Sequence, residues 1–203
     1  MMTTTFQPEQ SASAKKIAVI NGFILAAISL IMFLLVYYTA PHLMGNMAYS
    51  GVQWLIGIGL AVYFTLDIRK KIGGYWSFRE ALSAIFVMFM IQVVVVYFFT
   101  LAFGKWIEPS YQDQMREITL NASAEMAEML TDDQELIDKT IEETEEAIDK
   151  QFNPGIGDIL WSLAISVILY FAGALIFAAI FKRERPIFIN PADGQPDGDA
   201  PRE

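Results

Sequence analysis

Five carboxylates, Glu135, Asp138, Glu142, Glu145 and Asp149, recur at steps of 3, 4, 3 and 4. That spacing lines them along one face of a helix. Such a face could capture Ca²⁺ or Mg²⁺ weakly, or dock a basic partner. A straight helix, however, cannot wrap about six to eight oxygens around Ca²⁺, and no Asp-x-Asp-x-Asp-Gly loop occurs. The coordination argument favours a solvated face, so neither a metal site nor a cofactor is expected. Other reactive groups are scarce. There is no cysteine, which removes disulfides, thiolate metal sites and Cys nucleophiles. His42 is the single histidine, which excludes multi-His metal sites. Beside Pro41 in a short loop it is expected to be a plain loop residue. No G-x-S-x-G, Walker A or H-E-x-x-H motif is present, and no enzyme is expected. The balance of 14 basic and 23 acidic residues, net −9, argues against nucleic-acid binding.

The elements that must position these groups follow from composition. Of 203 residues 54% are hydrophobic and 18% charged, against roughly 25% charged in soluble domains; mean hydropathy is +0.38. Four runs are long and apolar enough to cross a bilayer, which takes about 20 helical residues. They are Ile17–Tyr38, Met47–Leu66, Ala81–Phe103 and Ile159–Phe181. As four buried helices of a soluble protein they would leave too little polar chain to cover them. The first run, at 22 residues, exceeds the usual signal-peptide core and lacks a clean A-x-A exit, so it is expected to be an uncleaved anchor. Lys15, Lys16, Arg69, Lys70, Lys71, Arg79, Lys182, Arg183, Arg185 and Arg202 fall on one side if both termini are cytoplasmic. The positive-inside rule then puts the long segment between the third and fourth helices outside.

That segment, Lys105–Asp158, holds 15 acidic and 4 basic residues, net −11. Acidity is therefore local. Met115, Ile118, Ala122, Met126 and Met129 form one helical stripe, and Ile137, Ile141, Thr144 and Ile148 another. Thr131-Asp132-Asp133-Gln134 breaks them, with Thr131 and Gln134 fitting a capping box. The expectation is a hairpin standing out of the membrane, its two narrow stripes packed together or on a second protomer. At the cytoplasmic edge, Gly73-Gly74 makes a turn and Ser77-Phe78-Arg79-Glu80 fits another capping box. Tyr75 and Trp76 are expected in one interfacial aromatic belt, with Trp106 and Trp161 in the other. Pro109 ends or bends the third helix, and Asn153-Pro154-Gly155 precedes the fourth.

None of the runs carries a central charge, unlike most pumps and transporters. The polar residues inside them include Asn21, Ser29, Gln92, Thr100, Ser162 and Ser166. An unpaired Gln92 amide in hydrocarbon would be costly, so it is expected to bond a neighbouring helix as packing glue. Small pairs Gly22/Ala26, Gly57/Ala61, Ser162/Ser166 and Ala174/Ala178 support close packing.

The Gly-Gly-Tyr-Trp-Ser-Phe-Arg-Glu-Ala entry to the third helix, the Glu-Pro-Ser-Tyr after it and the long outer segment resemble one family. It is a bacterial family of small multipass membrane proteins catalogued as domain of unknown function forty-one ninety-nine. The resemblance covers roughly Lys15 to Arg185. Its markers are Gly74, Phe78, Glu80, Ala81, Pro109 and Tyr111. It implies a membrane fold and no chemistry.

The reading is an all-α integral membrane four-helix bundle with an extracytoplasmic helical hairpin between helices three and four. Its parts are a flexible N-terminus (1–14), three membrane helices (15–103), the acidic hairpin (104–158), the fourth helix (159–181) and a disordered cytoplasmic tail (182–203). Structural roles are expected for Gln92, Gly74, Ser77, Phe78, Glu80, Pro109 and Tyr111. The expected setting is the bacterial inner membrane. The expected role is a non-enzymatic interaction or scaffold protein, touching the lipid bilayer and, through the hairpin, a protein partner or itself. The alternative is a small transporter or channel with a polar path near Gln92 and Asn21.

Overall fold

The structure is a computed structural model and describes residues 8–184. The expectations for the first seven residues and for the tail beyond residue 184 lie outside the described residues. Six helices follow one another: α1 (Pro8–Thr39), α2 (Met47–Lys71), α3 (Phe78–Ala102), α4 (Ser110–Leu130), α5 (Gln134–Phe152) and α6 (Ile156–Phe181). No strand occurs among the described residues. Four helical stretches are long and apolar enough to cross a membrane: Ser11–Thr39, Met47–Lys71, Phe78–Ile107 and Ile156–Phe181. At about 1.5 Å per residue each exceeds a hydrocarbon core of roughly 30 Å. α1 starts at Pro8, inside the stretch expected to be flexible. Ala14, just ahead of the apolar run, and Ala18 at its start are buried in the main core, so the helix gains packing before that run begins.

α3 is the central element, making its largest contact with α1 and its next with α6. Small residues set the spacing. A Cβ on Gly22 of α1 would sit 2.8 Å from the Met88 carbonyl oxygen on α3. Ala81, Ala84, Ala174 and Ala178 are fully buried. Close backbone approach is the means by which helices associate where lipid is as apolar as the side chains. Two of the expected small pairs behave otherwise. Gly57 has nothing within 4 Å of an added Cβ, and Ser162 is exposed.

The packing is uneven along the bundle. Near the end carrying Arg69, Lys70 and Lys71, four helices converge on Ile68, Ile85, Met88 and Ala178. Farther along, α2 leaves the bundle, and every residue from Gly51 to Gly59 is exposed. At the opposite end Tyr37, Phe103 and Tyr111 form a second buried cluster. Their rings meet edge to face at 5.4–5.5 Å, a favoured aromatic geometry.

The turn into α3 is fixed by local chemistry. Gly73 and Gly74 have φ of +96° and +84°, a region that favours glycine. The Ser77 backbone N–H donates to Glu80 Oε2 at 2.9 Å, and the Glu80 N–H donates to Ser77 Oγ at 3.4 Å. This is the reciprocal capping box that satisfies two otherwise unpaired helix-end donors. Phe78 begins the helix and is partly exposed. Trp76 departs from its expected place in a lipid-facing belt. It is 2% exposed, and its indole N–H donates to the Phe181 carbonyl at 2.9 Å. Its backbone pairs with Arg183 in both directions. The orphan carbonyls at the end of α6 need donors, and Trp76 supplies one while burying its ring. Trp106 and Trp161 remain exposed.

Candidate functional site

The acidic segment is built as two helices side by side. Its base is anchored by the end of α3, where a π-helical turn spans Phe103–Ile107. Pro109 stands at the start of α4, where a missing N–H costs no helical bond. Gln112 donates to the Gly104 carbonyl at 3.1 Å, closing the turn. A Cβ on Gly104 would lie 2.9 Å from the Tyr111 ring, so glycine lets that ring enter the aromatic cluster. Burial raises the Tyr111 hydroxyl pKa to about 12, with the nearby Tyr37 adding to the effect. Phe152 at the end of α5 meets the same ring at 5.7 Å. Both ends of the pair are therefore tied to one anchor.

The tip differs from the expected Thr131–Gln134 capping box. Asp133 is the N-cap, its carboxylate accepting from the Glu135 N–H at 3.0 Å. Thr131 instead accepts from the Asp133 N–H at 3.1 Å, and Gln134 donates to Asp138. An aspartate caps well because its charge also faces the positive end of the helix dipole.

Between the helices lies an ion-pair bridge. Arg116 of α4 reaches Glu145 at 2.5 Å and also pairs with Asp149, both on α5. Below and above it, Thr144 donates to Ser123 at 3.2 Å, and Ile137, Ile148 and Ala127 are buried. Ile141 is only half-buried. The α4 residues facing α5 thus include Arg116, Ser123 and Ala127. Each lies one position, about 100°, from the expected stripe residues Met115, Ala122 and Met126. The stripe has another neighbour. Ile118 and Ala122 press on Gly45 in the α1–α2 turn. Met126 and Met129 line an open groove of about 470 Å³ with Met47, Ala48 and Ser50. α4 therefore lies across that turn instead of standing free, and its apolar residues divide between two partners.

The five-carboxylate face divides as well. Glu145 and Asp149 are held by Arg116. Glu135, Asp138 and Glu142 stay exposed. Among the described residues no three His, Cys, Asp or Glu side chains are grouped to hold a metal ion. Lys139–Glu143 and Lys150–Glu146 are single-helix pairs at 3.9 and 3.7 Å. His42 is exposed in a short 3₁₀ turn between α1 and α2.

Inside the spans the polar side chains meet one another. Gln92 of α3 donates to Ser29 of α1 at 3.3 Å, and Ser29 donates to the Leu25 carbonyl at 2.9 Å. Asn21, 1% exposed, donates to Asp67 of α2 at 2.9 Å. Asp67 also takes Lys71 at 2.7 Å. Gln92 and Asn21 thus point to different neighbours. The Asn21–Asp67 pair was not legible in the sequence, where the two lie 46 residues apart. The only signal was that a polar residue inside an apolar run needs a partner. The hydroxyl of buried Thr65 has no partner among the described residues.

A family model for a protein of unknown function, DUF4199, matches residues 20–183, from within α1 to just beyond α6. No curated protein and no solved structure matches significantly.

Proposed function

The chain belongs to the DUF4199 family, a family without a defined activity, and on that premise we propose that it is a non-enzymatic interaction protein of the bacterial inner membrane. Its contact element is the α4–α5 pair, and its partner is a protein segment of basic character. The observation that carries this reading is the exposed carboxylate row Glu135, Asp138 and Glu142. Arg116 pairs only the far end of that row with α4, so one acidic face is left for another molecule. Polar groups in the spans support the same reading, because Gln92 and Asn21 each bond a neighbouring helix. The distribution of Lys and Arg supports an orientation with both termini in the cytoplasm and the pair in the periplasm.

A photo-crosslinking residue at Glu142 in living cells tests this. We expect capture of a protein with a basic contact segment, reduced by Glu135→Lys with Asp138→Lys, and no such capture from a control probe at Thr140, exposed on the opposite side of α5. Capture that is indifferent to charge reversal, or no protein captured at all, refutes the reading. Topology has its own test. With no native cysteine, Glu128→Cys is expected to react with an impermeant thiol reagent in intact cells and Lys71→Cys to stay silent. Labelling of Lys71→Cys would reverse the orientation.

A further inference from the structure

We infer that a second copy of this chain docks on the outer half of α2, forming a symmetric dimer through Ser50, Gln53 and Gly57. α2 carries one packing stripe, Ser50, Gln53, Gly57, Ala61, Phe64 and Ile68, at steps of 3, 4, 4, 3 and 4. That stepping keeps all six on one face. Ala61, Phe64 and Ile68 are buried in the core. Ser50, Gln53 and Gly57, continuing the same face, are exposed. The stripe therefore runs on past the point where this chain covers it, in continuity with an interface that already exists.

Its chemistry suits a helix better than lipid. α2 has the lowest hydropathy of the four spans, 1.5 against 2.5–2.7, yet from Gly51 to Gly59 it is exposed on every side. A Cβ added at Gly51, Gly57 or Gly59 meets nothing within 4 Å. The Gln53 amide has no hydrogen-bond partner among the described residues. It lies six residues, roughly 9 Å, into the helix from Met47. An amide facing hydrocarbon without a partner is costly. Gln carries both a donor and an acceptor, so two copies related by a two-fold axis satisfy each other reciprocally. Gly57, one turn farther in, lets the two backbones approach. Ser50 also borders the groove against α4; the inference rests on α2 and not on the acidic row of α5.

The absence of cysteine makes the test clean. Single cysteines at positions 50, 53 and 57 are introduced into the full chain, with Val52→Cys and Leu55→Cys on the opposite face as controls. Mild oxidation in native membranes is followed by non-reducing electrophoresis and mass identification. Folding of each variant is checked by helicity and elution volume. We expect same-position homodimers at 50, 53 and 57 and none at 52 and 55. In lipid nanodiscs, Gln53→Leu and Gly57→Leu are each expected to weaken dimer association about tenfold. A monomeric parent chain, crosslinking without this helical period, or crosslinking to a different protein overturns the inference.

Discussion

Replacing Arg116 with glutamine isolates the bridge that joins α4 to α5. The guanidinium meets Glu145 and Asp149, four residues apart on one face of α5. Side chains at the contact are 36%, 51% and 59% exposed, so solvent screens much of the attraction. An exposed ion pair contributes about 0.2–1 kcal/mol. Two pairs sharing one planar fork then give about 1.5 kcal/mol. Removing the charge also leaves Glu142, Glu145, Glu146 and Asp149 crowded on one side of α5, where Lys150 pairs with Glu146 alone. Local opening of the pair is expected to become about tenfold more frequent, since about 1.4 kcal/mol is a factor of ten. Amide hydrogen exchange in nanodiscs reads this directly at residues 137–149. In the parent, raising salt should accelerate exchange there by several-fold; in Arg116→Gln the salt response should shrink. Lys139→Gln, which loses only a pair at 3.9 Å within one helix, should change exchange by less than a factor of about two. Equal exchange in Arg116→Gln and the parent at low salt would refute the bridge as a source of order.

Ile148→Asp puts a charge at a site 3% exposed, and its uncompensated desolvation is expected to make residues 115–151 protease-sensitive; Glu142→Lys, on the exposed row, should leave cleavage unchanged. Gln92→Leu removes one bond to Ser29 at 3.3 Å, and the bundle is expected to lose at most about 1–2 kcal/mol in a detergent unfolding titration. Tyr111 titrates near 12 when folded and near its ordinary value of 10 when unfolded. Its neutral form contributes fully below pH 10, and that contribution is lost as pH rises toward 12, by roughly 2–3 kcal/mol. Tyr111→Phe should therefore have a flatter stability profile than the parent over that window, measured by unfolding at fixed pH. Gly22→Leu, facing the Met88 carbonyl, is expected to separate α1 from α3 and cost about 1–3 kcal/mol or more in the same titration.

What the sequence by itself determined is what depends on neighbours within a few turns. Continuous apolar runs define the spans because a bilayer demands length and composition alone. Ser77 and Glu80 make their capping box with partners three residues apart, and Asn153-Pro154-Gly155 stops a helix for equally local reasons. The carboxylate row was legible for the same reason, since helical period is a property of one segment. Tertiary structure alone decided which face meets which neighbour. α4 has two neighbours, so Arg116 turns to α5 while Ile118 and Ala122 turn to Gly45; no pattern within α4 assigns them. Asn21 finds Asp67 across 46 residues, and Trp76 leaves the expected belt because the end of α6 offers a carbonyl. The stripe on α2 reads as continuous in the sequence, yet only its inner half is covered. Periodicity is set by the geometry of one helix, whereas coverage is set by where the other helices go.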